Sequence, residues 1–234
     1  MLAAGKGARM GSDLPKVLLP LCGRPMLAHI LDLLAEAGVP HPVIVVGKNR
    51  NPIEEAFGSA YRYVVQEEQL GSGHAVMCAV DEARGSANVL VMCGDSPLFR
   101  AKTIRELMEK HVREHATVTL VSAVLEDPQG YGRIARSASG EITGIVEEKM
   151  ATPEQRAIRE INGGAYAFDA DWLRDNLGLM RRNEAGEYCL TEMVDIALSQ
   201  GRRVLAVSAS PEEVAGVNTP DQLSQAEEIL RCRD

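Results

Sequence analysis

Gly5 and Gly7 punctuate a short run of small residues, Leu2-Ala3-Ala4-Gly5-Lys6-Gly7-Ala8-Arg9-Met10-Gly11, which Leu14-Pro15-Lys16 follows. Glycine lacks a Cβ and takes positive φ, so a turn of this kind can aim backbone N–H groups at phosphate oxygens. Lys6, Arg9 and Lys16 add positive charge, Arg9 as a planar fork and Lys16 as a compact point charge. The same string also makes an ordinary tight connection with solvated cations, so the residue types alone leave both readings open. Spacing excludes two common phosphate motifs. Gly5, Gly7 and Gly11 read G-x-G-x-x-x-G, one residue too long for the dinucleotide fingerprint. Lys6 precedes Gly7 rather than the Ser or Thr that a P-loop sets on magnesium.

A second candidate lies at Cys93-Gly94-Asp95-Ser96-Pro97-Leu98, directly after the apolar run Val89-Leu90-Val91-Met92. That order puts Asp95 at the carboxyl end of a strand, where open α/β sheets bind their ligands. A carboxylate there suits magnesium, which takes one or two protein ligands and keeps phosphate oxygens and waters for the rest. Asp-Ser-Pro is also a good turn string.

The elements that must position these residues alternate. Pro42 to Gly47, Tyr61 to Val65, Asn88 to Cys93 and Thr117 to Val124 read as strands. Arg24 to Ala37, Leu70 to Arg84 and Ala101 to His115 read as helices, the first ending at Gly38. Repeated βα units imply a parallel sheet. Gly132 to Arg136, Glu141 to Glu147 and Gly164 to Phe168 read as further strands among loops, which adds mixed pieces. The expected fold is therefore α/β and Rossmann-like, with a mixed, mostly parallel central sheet flanked by helices. Only Met1 to Ala4 precede the glycine turn, so the first strand is either natively short or clipped of its first few residues. Thr152-Pro153-Glu154-Gln155, Ser210-Pro211-Glu212-Glu213 and Thr219-Pro220-Asp221-Gln222 each read as a helix start, with a capping hydroxyl, proline at the first position and a fourth residue able to complete a capping box.

Composition narrows the function classes. The 234 residues are 45% hydrophobic and 25% charged, enough for one α/β domain with a real core. A formal net charge of −8 and 4% aromatics argue against nucleic-acid binding, which needs a cationic field or a stacking platform. No apolar run approaches a membrane span, and no signal core follows Met1, so a cytoplasmic protein is expected. Five scattered cysteines lack a Cys-x-x-Cys pair and read as reduced thiols.

Taken together, these segments resemble the uridyltransferase half of bacterial N-acetylglucosamine-1-phosphate uridyltransferases, within the sugar-phosphate nucleotidyltransferase superfamily. The resemblance runs almost end to end. It is carried by Leu-Ala-Ala-Gly-Lys-Gly at 2–7, Leu-Pro-Lys-Val-Leu at 14–18, Gln-Leu-Gly-Ser-Gly-His-Ala at 69–75 and Asp-Pro-Gln-Gly-Tyr-Gly-Arg-Ile at 127–134. Gly-Ile-Val-Glu at 144–147, Glu-Ile-Asn at 160–162, Gly-Glu-Tyr at 186–188, Leu-Thr at 190–191 and Gly-Val-Asn at 216–218 follow in the family's order.

The resemblance implies uridylyl transfer from UTP to N-acetylglucosamine 1-phosphate with Mg2+ as cofactor. It gives Leu2, Ala3, Ala4 and Gly5 the nucleotide-cradling loop, Gln66, Gly71 and Ser72 the uracil contacts, and Cys93, Gly94 and Asp95 the nucleoside side. Gly132, Glu147, Asn162 and Asn218 fall to the sugar side, Asp95 and Asn218 to the metal, and Arg9 and Lys16 to catalysis. It divides the domain into a nucleotide part at about 1–115, a sugar part at about 116–218 and a final helix at about 219–231. The chain departs from the family pattern at Cys93, Gly163, Glu148, Cys189 and Glu192, which stand where Tyr, Thr, His, an aromatic and Asp are usual. No hexapeptide-repeat region follows, so acetyl transfer is not implied and a monomer or weak dimer is expected if the chain is complete. Competing readings are a nucleotidyltransferase for another sugar phosphate or base, and a nucleotide-binding regulatory domain without turnover.

Overall fold

A computed structural model of the chain describes every residue except Lys6, Ala8, Arg9, Asp13 and Asp234. The roles expected of Lys6 and Arg9 therefore lie outside the described residues. The four residues that open the chain occupy the centre of the sheet. Leu2 bridges Val45 on one side and Cys93 on the other, parallel to both. Its N–H donates to the Met92 carbonyl at 2.8 Å, and its own carbonyl accepts from the Gly94 N–H at 2.8 Å.

The strands are β1 (Pro20–Leu21), β2 (Arg24–Pro25), β3 (Val43–Gly47), β4 (Arg62–Gln66), β5 (Asn88–Met92), β6 (Val118–Val124), β7 (Arg133–Arg136), β8 (Ile142–Val146), β9 (Glu160–Asp169) and β10 (Val204–Ser208). The helices are α1 (Met26–Glu36), α2 (Asn51–Phe57), α3 (Ser72–Ala79), α4 (Ala101–Arg113), α5 (Pro153–Arg156), α6 (Ala170–Asn176), α7 (Glu192–Ser199) and α8 (Pro220–Arg231). Across the sheet the order runs β4, β3, Leu2, β5, β9, β6, β10. β3 and β4 pair parallel, as do β6 and β10, while β9 lies antiparallel between β5 and β6. Only β9 reverses direction along this path, so the expected mixed but mostly parallel sheet is what forms. The hairpin of β7 and β8 extends from the first half of β9, through Arg133 opposite Ile161.

The reversal of β9 has a functional consequence. Its amino-terminal residues, Glu160 to Asn162, pair with the carboxyl end of β6. They therefore join the carboxyl ends of the parallel strands at one edge of the sheet, the edge where α/β sheets place ligands.

Helix α1 is shorter than its sequence pattern because Arg24 and Pro25 pair with β1, and a residue before proline is pushed to extended backbone. The capping strings at Thr152 and Thr219 start α5 and α8, and Thr152 forms the full capping box with Gln155. The string at Ser210 starts no helix. Its Glu213 is buried and turns to α4, accepting from the Arg100 N–H at 3.1 Å and the Thr103 hydroxyl at 2.5 Å. A carboxylate at a helix amino terminus meets both orphan N–H groups and the macrodipole. The Ser210 hydroxyl donates to the other Glu213 oxygen, so it is not spent as a cap acceptor.

Helix α4 packs Ile104, Leu107 and His111 against the sheet. His111 is 1% exposed and faces the Thr119 hydroxyl at 3.0 Å. Burial pushes its imidazolium below the ordinary value of 6.5, against a smaller upward pull from Asp169. The unfolded chain then binds the proton more readily, so this histidine stabilises the fold above pH 6.5 and progressively less as the pH falls towards its lower folded value. Urea midpoints across that interval should fall on the acid side, and the slope should flatten in His111→Leu. Parallel curves for the two proteins would remove His111 as the cause.

Candidate active site

The carboxyl ends of the central strands open into a cavity of about 390 Å³. Its walls carry Leu2, Ala3, Ala4 and Gly5 from the first turn, Lys16 from the turn after it, and Gln66 from the end of β4. Gly71 and Ser72 from the start of α3, and Cys93, Gly94 and Asp95 after β5, complete the set. Every described residue expected on the nucleotide side thus borders one space.

At its floor the Lys16 ammonium lies 2.6 Å from the Asp95 carboxylate and 3.0 Å from the Asn218 amide oxygen. Lys16 is 9% exposed, so the charge is held away from bulk water and compensated locally. The approach of its stem demands glycine on the facing turn: Gly7 has φ +61°, and a Cβ there would sit 2.8 Å from the Lys16 Cβ. The Val217 N–H donates to the Asp95 carbonyl at 2.8 Å, which seats the segment carrying Asn218 against Asp95. Asn218 was expected on both the sugar and the metal side, and the structure places it with Lys16 and Asp95. Beside them, burial and the neighbouring Asp95 push the Cys93 thiol up to about 12, so it stays protonated.

Gly132, Glu147 and Asn162, the residues expected at the sugar, converge. A Cβ on Gly132 would lie 3.6 Å from a Glu147 carboxylate oxygen and 3.8 Å from the Asn162 Cβ. The Asn162 N–H donates to the Gly132 carbonyl at 2.9 Å, and its side-chain amide donates to the Tyr166 hydroxyl at 2.5 Å. Burial raises the Tyr166 phenol well above its ordinary value, so it remains protonated. Glu147 also borders a larger cavity of about 720 Å³ that carries Cys189 and Thr191. Burial, then the nearby Glu147, push the Cys189 thiol up.

Several residues at the site were not assigned a role from sequence. Gln69 donates from Nε2 to the Ala4 carbonyl and so pins the cradling turn from the side. Thr191 donates its hydroxyl to Glu147 at 2.7 Å. Glu187 borders both cavities. Ser72, expected at uracil, accepts from the Leu190 N–H at 3.1 Å and anchors the 183–191 segment to α3. Both Gln69 and Thr191 lie inside strings that carried the family resemblance, but nothing in their spacing reveals the partner.

The mixed sheet with a cavity at the carboxyl-end edge of its parallel strands is the fold of solved nucleotide-sugar pyrophosphorylases and thymidylyltransferases. Apo UDP-glucose pyrophosphorylase superposes with a TM-score of 0.81 at 18% identity, covering 99% of this chain and 97% of that one. A candidate glucose-1-phosphate thymidylyltransferase from Bacillus anthracis, in complex with a sucrose, gives 0.83 at 21% identity, covering 98% and 93%. The MobA-like NTP transferase domain matches residues 1–158, and the chain belongs to that family.

The whole chain is also 43% identical to the bifunctional protein GlmU of Thermoanaerobacter pseudethanolicus and 45% identical to that of Trichlorobacter lovleyi. It spans 51% and 52% of their lengths, about half of each. The resemblance read from the motifs is thereby borne out. No helix among the described residues is long and apolar enough to cross a membrane.

Gly71 offers a test of the cavity wall. Its φ is +98°, and a Cβ would lie 2.5 Å from the Tyr188 carbonyl oxygen. Gly71→Ala must therefore move backbone, and nucleotide affinity should fall by roughly tenfold or more, about 1.4 kcal/mol, in a titration calorimeter. Wild-type affinity in the variant would show that this wall does not touch the nucleotide.

Proposed function

We propose that this chain is a magnesium-dependent sugar-1-phosphate uridylyltransferase that forms UDP-N-acetylglucosamine from UTP and N-acetylglucosamine 1-phosphate. The observation that carries the reading is the compensated Lys16 charge between Asp95 and Asn218, at the floor of a cavity walled by Leu2 to Gly5. Relatives named GlmU, 41% and 45% identical over the whole chain, support the same chemistry.

In the proposed reaction a phosphate oxygen of the sugar phosphate attacks the α-phosphorus of UTP in line. The bond from that phosphorus to the bridging oxygen breaks, and pyrophosphate leaves with the electron pair. No protein nucleophile is required, so the residues act by positioning and by charge. On this reading Leu2 to Gly5 present backbone to the phosphates, and Gln66 with Gly71 and Ser72 meets the base. Cys93 and Gly94 flank the nucleoside, while Gly132, Glu147 and Asn162 hold the hexosamine. Arg9 and Lys16 offset the charge that builds as two anions approach. The division at about 115 between nucleotide and sugar parts belongs to the same proposal.

Asp95 and Asn218 are the residues that would hold magnesium. One carboxylate and one amide oxygen converge on a single cation, here the Lys16 ammonium. This hard, oxygen-only pair suits an ion that draws its remaining ligands from phosphate and water. Bound there, magnesium would neutralise phosphate oxygens and ease departure of pyrophosphate.

The deciding experiment is pyrophosphate release from UTP plus N-acetylglucosamine 1-phosphate, with other sugar phosphates and nucleotides in parallel. Release confined to the named pair supports the proposal; release with another pair alone replaces the substrate, and silence throughout sinks it. Lys16→Ala, if folded, should lower turnover roughly ten- to hundredfold, the worth of one charge-assisted contact of ~1.5–3 kcal/mol. Asp95→Asn should weaken or abolish the response to added magnesium, and an unchanged metal titration would remove Asp95 from the ligand set.

A further inference from the structure

Gln66 ends β4, is 3% exposed and borders the cavity. Its Nε2 donates to the Gly71 carbonyl at 3.0 Å and meets His74 Nδ1 at 3.1 Å. A carbonyl oxygen only accepts, so the Gly71 contact fixes which end of the amide is nitrogen. Both amide hydrogens are then engaged, and no described residue donates to Oε1. The cavity therefore meets Gln66 as an acceptor.

This arrangement needs a particular state of His74. Nδ1 must accept, so the ring proton sits on Nε2, the nitrogen facing Cys78 Sγ at 3.9 Å. Burial pushes the Cys78 thiol up, so it stays neutral. The plane of the imidazole is set by Tyr188, stacked on it at 6.3 Å between centroids and 25° between planes. Tyr188 is itself pinned to the start of α3, its carbonyl accepting from the Gly73 N–H and its N–H donating to the Leu70 carbonyl, each at 2.8 Å.

We infer that His74 is a positioning residue that sets the hydrogen-bond polarity of the base site. By taking the second amide hydrogen of Gln66, it keeps the Gln66 oxygen turned to the ligand. A fixed acceptor receives a ring N–H such as uracil presents at N3. Cytosine presents an acceptor at N3, and two facing acceptors leave both groups unpaired at a desolvation cost. Without an acceptor at position 74, only the Gly71 carbonyl still holds the Gln66 amide; its second hydrogen is left unpaired, the amide plane is less tightly fixed, and the discrimination between the two bases weakens. The identity of the base rests on the uridylyltransferase reading; the polarity of the site rests on the two Nε2 contacts.

The test is equilibrium binding of UTP and of CTP by calorimetry to wild type, His74→Phe, His74→Leu and His74→Asn. Phenylalanine keeps the stacked ring and loses the acceptor, whereas asparagine places an amide oxygen near the former Nδ1. Wild type should prefer UTP. The preference should shrink roughly three- to tenfold in the phenylalanine and leucine variants, the worth of one neutral hydrogen bond, and return in the asparagine variant. An unmoved preference in His74→Phe, equal loss in all three variants, or a wild-type preference for CTP would overturn the inference.

Selective UTP binding without pyrophosphate release would defeat the proposed reaction and leave this inference standing. A long-range ¹⁵N spectrum of the wild type tests the same point without any variant. A protonated Nε2 and bare Nδ1 on His74 are expected, and the reverse tautomer would overturn the assignment.

Discussion

The site depends on one buried ammonium. Lys16 reaches Asp95 and Asn218, residues 79 and 202 positions further along the chain, and holds their oxygens around a single positive charge. Two oxygens gathered to receive a cation would otherwise face each other with poor solvation. The contact also explains why distant pieces of chain must meet. Gly7 gives room for the lysine stem, Asp95 follows a central strand, and Asn218 sits just before the Thr219 cap of α8. Losing one partner of such a group leaves the others uncompensated, so its geometry is constrained more tightly than that of the exposed ion pairs elsewhere.

Much of this was legible in the sequence because it rests on local rules. Strand endings before Gly94 and Gly5, and the proline-led starts of α5 and α8, follow from residue type and order. The failure at Ser210 is equally instructive. Its string satisfies the capping rules, yet Glu213 finds a better use at α4, and a local preference of about 1 kcal/mol gives way to a buried charge-assisted contact. The longer β9 was read only from Gly164 because Asn162, Gly163 and Gly164 carry little strand signal, and its first residues are held by pairing with β6. Thr191 on Glu147 and Gln69 on Ala4 were out of reach for a related reason, since each partner lies far away in the chain.

The segment from Asn183 to Thr191 joins the two sides of the site physically. Tyr188 and Leu190 bond to the start of α3, among the residues expected at the nucleotide, and Thr191 bonds to Glu147 among the residues expected at the sugar. The segment is closed on itself as well, because the Asn183 side chain accepts from the Ala185 and Glu187 N–H groups at 3.0 and 2.9 Å. Movement of this strap would therefore disturb both walls together.

The positions that depart from the family pattern fall unevenly on this frame. Glu148 pairs at 2.7 Å with Arg133, a side chain 2% exposed, so a residue standing where histidine is usual neutralises a buried charge. Cys189 accepts from the Asn183 amide at 3.3 Å within the strap. Both border the larger cavity, whereas Gln66, His74 and the backbone at Gly71 are tied to one another through the Gln66 amide nitrogen beside the smaller one. Groups tied to one another in this way resist change, because altering one member strands its partners. The same constraint acts at the larger cavity, where exchanging Glu148 alone would strand the buried Arg133 guanidinium.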